Sequence, residues 1–217
     1  MALESLTMIR HGESATNAAS ARAELDGSEL FGSGTRDPDV PLTDLGRAQA
    51  AAVGTWLAGQ PERAWTVWCS PYSRARETAA IALGAVGSPR VRIDERLRDR
   101  EIGNLHGLTD LGWRRRYPEE FALRERLGRF YYRPPGGESW VDVALRLRAL
   151  LDELDGHVLA FAHDIVVVMT RYVLEGLDEA AILEIERGKI RNGSISRWER
   201  SDTGLIPAGY NETAHLG

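Results

Sequence analysis

Short apolar runs, each ending in a charged, polar or imidazole side chain and each followed by a helical pattern, constrain this chain more than any other feature. Ser5 to Ile9 (SLTMI) runs into Arg10-His11-Gly12, Trp65 to Cys69 runs into Ser70, and His157 to Ala162 (HVLAFA) runs into His163. Val91 to Arg98 reads as a weaker strand between them, and Ser194 to Trp198 as a last one. Apolar runs without polar alternation mark strands covered on both faces, and strands separated by helices pair in parallel because each crossover must pass over the sheet. The expected fold class is therefore α/β: a mainly parallel, open twisted sheet with helices on both faces, three layers deep. Such sheets bind ligands beyond the carboxyl ends of their strands. That rule selects Arg10, His11, Ser70, Arg74 and His163 for chemical reading.

The helices between the strands carry recognisable starts. Pro41-Leu42-Thr43-Asp44 opens one, with Thr43 as N-cap and Leu45, Ala48, Ala52 and Trp56 expected on the inner face. Ser70-Pro71 reads as an N-cap with proline at the first helical position. Ser139-Trp140-Val141-Asp142 resembles a capping box ahead of Val143, Leu147, Leu150 and Leu154, and an apolar helix follows from Asp164 to Leu174. A length of 217 residues suits one domain over 1–217, with insertions at about 18–40 and 110–135 and a polar tail at 202–217. Asn17 to Val40 is expected to be a long surface excursion, with Gly32-Ser33-Gly34 as flexible linker, and Trp113 to Gly128 an exposed helix rich in Arg and Glu. No stretch approaches the roughly 18 apolar residues of a membrane span, and the first residues lack leader-peptide patterning. The chain has a single cysteine, Cys69, and the expected setting is the cytoplasm.

Twenty-seven basic against 32 acidic residues give a net charge of −5. Neither nucleic acid nor an anionic membrane is drawn to the chain as a whole, so any anion must be held by a local site. Every basic residue but Lys189 is arginine, which excludes almost all lysine-dependent chemistry. The strand ends offer the local site. His11 projects from the first, with Gly12 expected to let a ligand approach the backbone. The helix after Ser70 points free N–H groups at the crevice, and Arg74 adds a planar fork of donors; Arg76, about 200° around the helix, faces solvent. His163 stands at a further helix N-terminus. One anion-binding centre accounts for Arg10, His11, Arg74 and His163 together.

With these residues in place, the chain resembles the histidine phosphatase superfamily, the phosphoglycerate-mutase-like fold, along nearly its whole length and in order. MIRHGESATN is similar to the family's nucleophile motif, PLTDLGRAQA to its first helix and SPYSRARETA to its second-arginine motif. LRDREIGNLHGLT resembles the general-acid segment, PPGGES the pre-helix turn and FAHD the second-histidine motif. The resemblance implies that His11 attacks phosphorus and becomes a phosphohistidine, and that Arg10, Asn17, Arg74 and His163 hold the phosphoryl oxygens. It places the general acid at Asp99, where the family more often carries glutamate. Glu101 is the second candidate for the acid, and Glu101 and Arg133 are possible substrate contacts. A phosphomonoester carries about −1.5 to −2 charges, which two arginines, a protonatable histidine and two helix ends offset, so neither metal nor cofactor is expected.

Three conditions follow from that assignment. An unperturbed aspartate is protonated about once in a thousand molecules at pH 7, so Asp99 needs its pKa raised, and a phosphate dianion beside it has the right sign. His11 must be neutral to attack while His163 gains from a proton, so the two imidazoles are expected to titrate apart. Asp164, where many relatives carry glycine, is expected to point away from the phosphate or to pair with an arginine.

The expected activity is metal-independent phosphomonoester hydrolysis on a small phosphorylated substrate. A phosphoglycerate-type phosphomutase shares the first half of the mechanism, and the resemblance implies that mutases grip their substrate with a lysine and paired arginines in the insertion. Here Lys189 is far along the chain, and Arg114, Arg115 and Arg116 cannot all face one pocket, so hydrolysis is favoured. A catalytically weak phospho-ligand-binding module of the same fold is the rival from another class. A cysteine phosphatase needs five residues between thiolate and arginine, and only four separate Cys69 from Arg74. Arg114 to Arg133, interleaved with Trp113, Tyr117, Tyr131 and Tyr132, offers an RNA-stacking surface, against which Glu119, Glu120 and Glu125 favour a solvated helix partly roofing the pocket. His106, His157 and His215 are expected to be structural or exposed.

Overall fold

The structure, a computed structural model, describes residues 2–32, 34–61 and 64–217. Six strands, β1 (Leu3–Arg10), β2 (Trp65–Cys69), β3 (Val91–Ile93), β4 (Gly156–Ala162), β5 (Ile195–Ser201) and β6 (Gly204–Glu212), form one sheet in the order β3-β2-β4-β1-β5-β6. The first four pair in parallel, while β5 and β6 add an antiparallel edge. Between them run α1 (Ala15–Asp26), α2 (Asp44–Ala58), α3 (Ser73–Gly84), α4 (Asp110–Arg116), α5 (Pro118–Tyr131), α6 (Trp140–Leu151), α7 (Asp164–Glu175) and α8 (Glu179–Arg187). This is the expected α/β fold with both faces covered. Among the described residues, no helix is long and apolar enough to cross a membrane.

Successive residues of β4 serve opposite faces. Val158, Ala160 and Ala162 join the core formed with α6, α7 and α8, whereas Leu159 and Phe161 join the core formed with α2 and α3. Met8 and Ile9 of β1 divide in the same way. Side chains two apart share a face, so a strand covered on both sides reads as an unbroken apolar run.

Several local expectations need correction. Thr43 does cap α2, accepting from Gly46 N at 3.1 Å, but the buried stripe is Gly46, Ala50, Val53, Gly54 and Leu57, and Leu45 is 54% exposed. Close backbone approach sets that face: a Cβ on Gly54 would stand 2.9 Å from the Ala82 carbonyl oxygen of α3. The third strand stops at Ile93, because the Asp94 carboxylate accepts from Arg96 N at 2.8 Å and turns the chain into a 3-10 turn. Helix α3 begins at Ser73 rather than Pro71, although the Ser70 hydroxyl, 2.8 Å from His163 Nε2, also accepts from Tyr72 N at 3.3 Å. Helix α1, started by a capping box between Ser14 and Asn17, runs into the surface excursion at 18–40 and takes up its first part. Its buried residue is Ala23, so it offers no apolar stripe to read. Ser33, the centre of the linker reading, lies outside the described residues.

The insertion at 110–135 is helical, as α4 and α5, and its aromatic rings divide, with Tyr117 and Tyr131 exposed but Trp113 and Tyr132 packed. Arg124 is buried with its guanidinium 4.5 Å from the Trp113 ring, Trp113 and Tyr132 stack at 5.6 Å, and Tyr132 is 1% exposed. Residues 204–212 of the expected tail form β6. An edge strand pairs on one side, which is why Pro207, with no N–H to donate, is tolerated there.

Candidate active site

The strands that carry the motifs end level. Arg10 pairs with Ala162 and Cys69 with Phe161, and each strand is extended by one more bond, His11 N to Ala162 O at 3.0 Å and Ser70 N to Phe161 O at 2.9 Å. His11, Ser70 and His163 therefore share one rim. Above it opens a cleft of about 500 Å³ lined by Arg10, His11, Asn17, Arg74 and Asp99.

His11 is buried, and its Nδ1 lies 2.7 Å from the Gly12 carbonyl oxygen. A carbonyl only accepts, so Nδ1 carries the proton and Nε2 the lone pair. Burial first, then the charges of His163, Arg10 and Arg74, push its pKa well below the usual imidazole range. The result is a neutral ring whose Nε2 has no hydrogen-bond partner among the described residues. The His163 ring stands 5.1 Å away, edge-on, with Nε2 2.8 Å from Ser70 Oγ and Nδ1 3.2 Å from Asp99 Oδ2. Burial lowers its pKa too, although Asp99 opposes that. The two rings differ in degree: His11, among positive neighbours, is pushed well below the usual imidazole range, whereas Asp99 opposes the depression at His163.

A pH dependence follows. Both folded-state pKa values are depressed, so the unfolded chain binds more protons than the folded one as pH falls. The stabilisation is present above the unfolded value of about 6.5 and is lost as pH drops below it. Urea denaturation between pH 8 and pH 5 is expected to show unfolding free energy falling below about pH 6.5, with a shallower fall in His163→Gln. Equal slopes in the two proteins would contradict the assignment.

Asp99 sits between the imidazoles and the second arginine. Its Oδ2 accepts from Arg74 Nη2 at 2.8 Å, and Oδ1 from Arg100 N at 2.8 Å. Burial alone would raise its pKa, but His163, Arg74 and His11 outweigh burial and hold it well below the usual carboxylate range. That is opposite to what the acid role requires, so the role depends on a phosphoryl group altering this balance. Arg74 is buried and donates from Nη1 to Asp37 O at 2.7 Å and Oδ1 at 3.0 Å. Burial disfavours its charge, yet Asp99 and Asp37 leave its pKa raised.

Arg10 donates through Nη1 to the Ile190 carbonyl and places Nη2 3.4 Å from Asp164 Oδ2, while its Nε is buried with no hydrogen-bond partner among the described residues. Asp164 therefore pairs with an arginine, as expected. Asn17 Oδ1 accepts from Ser14 N, Ser14 Oγ and Asn192 Nδ2 at 3.1, 3.0 and 3.1 Å, which leaves its Nδ2 as the donor for the cleft. His11, Asp99 and His163 are the one triple among the described residues close enough to share a metal, each ligand atom within 4.8 Å of the others. The guanidiniums of Arg10 and Arg74 beside them favour an anion over a cation.

Gly12 serves a purpose other than ligand approach. A Cβ there would meet the Gly46 carbonyl oxygen at 2.2 Å, because the loop after β1 lies directly on the first turn of α2. Gly12→Ala is expected to destabilise the fold by about 1–3 kcal/mol or more, read as a drop of several degrees in Tm by calorimetry. An unchanged Tm would contradict this packing.

Two predicted contacts are not brought to the cleft. Glu101 is exposed and its Oε1 accepts from Gly103 N at 3.0 Å. Arg133 donates from Nε to Asp142 Oδ2 at 2.8 Å, drawn away by the acid of the α6 capping box. Cys69 is buried with its thiol pKa pushed up to about 12 by burial, which removes the thiolate that a cysteine phosphatase needs. Asp37, Arg100 and Asn192 reach the site without being singled out by the sequence, and Lys189, far along the chain, lines the same cleft. Of these, Arg100 carried a signal, its place beside Asp99; the others reach the site through folding of loops distant in sequence.

The sequence profile described as histidine phosphatase superfamily (branch 1) matches residues 6–213. The chain is 32% identical over 194 residues to 2,3-bisphosphoglycerate-dependent phosphoglycerate mutase 2 of Gloeobacter violaceus, covering 85% of this chain and 80% of that protein. It is likewise 32% identical over 191 residues to glucosyl-3-phosphoglycerate phosphatase of Mycolicibacterium vanbaalenii, covering 88% and 72%. Among solved structures, a mycobacterial glucosyl-3-phosphoglycerate phosphatase in complex with inorganic phosphate superposes with a TM-score of 0.75 at 26% identity, over 99% of this chain and all of that one.

Proposed function

The chain belongs to the histidine phosphatase superfamily, and from that membership we propose that it hydrolyses phosphomonoesters through a phosphohistidine on His11. The observation that carries the reading is His11: its Nδ1 proton is tied to the Gly12 carbonyl, its ring is held neutral, and Arg10, Arg74 and His163 gather round it. Nε2 attacks phosphorus, the P–N bond forms as the P–O bond to the leaving group breaks, and the leaving oxygen takes a proton. Water then attacks the phosphohistidine, the P–N bond breaks and phosphate leaves. Arg10, Asn17, Arg74 and His163 hold the phosphoryl oxygens, where fixed donors stabilise the charge of transfer.

Asp99 supplies the proton in the first step and accepts one from water in the second. Phosphoryl oxygens that engage the Arg74 fork weaken the counter-charge on Asp99 and bring a dianion beside it. Both effects raise its affinity for a proton. The substrate thus creates the protonation state that the surrounding groups otherwise oppose. This reading needs neither metal nor cofactor and takes a small phosphorylated substrate in the cytoplasm.

The mutase reading has one observation in its favour. Lys189, remote in sequence, lines the same cleft, whereas Arg115 and Arg116 of the insertion pair with Glu29. Inorganic phosphate released from a panel of phosphomonoesters, set against isomerisation of phosphoglycerate, separates the two. Release without isomerisation is the expected result; isomerisation exceeding release overturns hydrolysis, and tight phosphate binding with neither reaction indicates a binding module.

A further inference from the structure

His11, Ser70 and His163 are held by strand ends, but Asp99 has no such anchor. It lies within residues 98–102, between a 3-10 turn at Glu95–Leu97 and another at Gly103–Leu105, where the chain forms neither helix nor strand. A loop without ladder bonds holds a carboxylate only as firmly as its side contacts allow. Those contacts converge on two residues distant in sequence. Glu138 Oε1 accepts from Arg98 Nη2 at 2.5 Å and Oε2 from Glu101 N at 3.1 Å, its carbonyl oxygen accepts from Arg100 Nε at 2.7 Å, and its N–H donates to Glu101 O at 2.8 Å. Arg98, Arg100 and Glu101, the neighbours of Asp99 on both sides, are thus all tied to Glu138.

Arg146 of α6 closes the clamp. Its Nε and Nη2 donate to the two Glu138 carboxylate oxygens at 3.1 and 3.3 Å, and its terminal nitrogens also reach the acid segment, Nη1 to Arg96 O at 2.5 Å and Nη2 to Asp99 O at 3.3 Å. One guanidinium therefore spans a carboxylate and two backbone carbonyls, which a planar fork of donors can do and an ammonium cannot. The pair is largely withdrawn from water, with side chains 10% and 14% exposed, and burial holds the Arg146 pKa below the usual guanidinium range even against the charge of Glu138. A buried ion pair adds little net stability over apolar residues of similar volume, and what this one fixes is the path of the chain through Asp99. That path sets Asp99 Oδ2 2.8 Å from Arg74 Nη2 and 3.2 Å from His163 Nδ1.

We propose that Arg146 and Glu138, neither of which lines the cleft, are positioning residues for proton transfer by Asp99, holding its carboxyl where it meets the leaving oxygen. The proposal rests on Asp99 as the general acid, which gives its proton to the leaving oxygen as the P–O bond breaks and is left as the carboxylate. An alcohol leaves phosphorus only with that proton, whereas 2,4-dinitrophenolate leaves without it, so displacing the acid penalises the first alone. The probes are glycerol 3-phosphate and 2,4-dinitrophenyl phosphate, compared by kcat/KM, which covers phosphorylation of the chain and not its later hydrolysis. Asp99→Asn is expected to lower the value for the glycerol ester about a hundredfold more than for the dinitrophenyl ester. Arg146→Met is expected to do so by at least about tenfold, since a small misplacement of a catalytic group is costly, with Arg146→Lys between it and wild type and Glu138→Gln moving the ratio in the same direction. Loss of folded protein lowers both rates alike and cancels in the ratio. Discrimination by Asp99→Asn but not by Arg146→Met or Glu138→Gln overturns the positioning claim and leaves the acid standing. No discrimination by Asp99→Asn overturns the acid reading and the positioning claim with it.

Discussion

His11→Ala is expected to lower kcat/KM for every phosphomonoester by about ten-thousand-fold or more, because it removes the attacking atom itself. Arg10, Arg74 and His163 remain, so phosphate is expected to bind the variant still. This split between lost chemistry and retained binding distinguishes a nucleophile from a residue that merely completes the cradle. The His11 ring is buried against His163, so the variant must be checked for fold by circular dichroism. A well-folded His11→Ala protein with more than a hundredth of wild-type activity would show that another group attacks phosphorus.

Arg74→Met is expected to damage both stability and activity. Arg74 is 4% exposed and neutralises Asp37 and Asp99, whose side chains are 24% and 22% exposed. Removing one partner of a buried pair leaves uncompensated charge, which costs about 3–5 kcal/mol. Adding Asp37→Asn to Arg74→Met is expected to recover part of that loss, because one of the stranded charges goes with it. Activity is expected to fall by about a hundred- to a thousand-fold through loss of a fixed donor to the phosphoryl oxygens. Arg74→Lys keeps the charge but not the planar fork, and is expected to fall between. Urea midpoints and phosphate release measure both. An Arg74→Met protein as stable as wild type would contradict the described network.

The sheet and its rim were legible because they rest on strong local signals: unbroken apolar runs, each terminated by a functional side chain at a strand end. His11, Arg74, Asp99 and His163 do converge, and Asp164 does pair with an arginine. What the sequence hid falls into two kinds. Helix α1 and strand β6 lack an apolar stripe, the one because it lies over the surface with little but Ala23 buried, the other because an edge strand admits Pro207. Glu101, Arg133 and Lys189 were misplaced because linear distance does not report where a turn sends a side chain. Gly103 N draws Glu101 outward, Asp142 draws Arg133 away, and Asn211 helps to set the turn that carries Lys189 to the cleft. Asp99 illustrates a further limit. Its identity was readable, but its ionisation is set by Arg74 and His163, which only the fold brings to it.

The most direct test of the account is to mix the protein with a phosphomonoester, quench within milliseconds and analyse the denatured chain for phosphate. Phosphate that is labile in acid, stable in base, located on the peptide containing His11 and missing from His11→Ala is the predicted result. Turnover with no phosphoryl group on the chain at any quench time, or with the group on another residue, would contradict covalent transfer to His11.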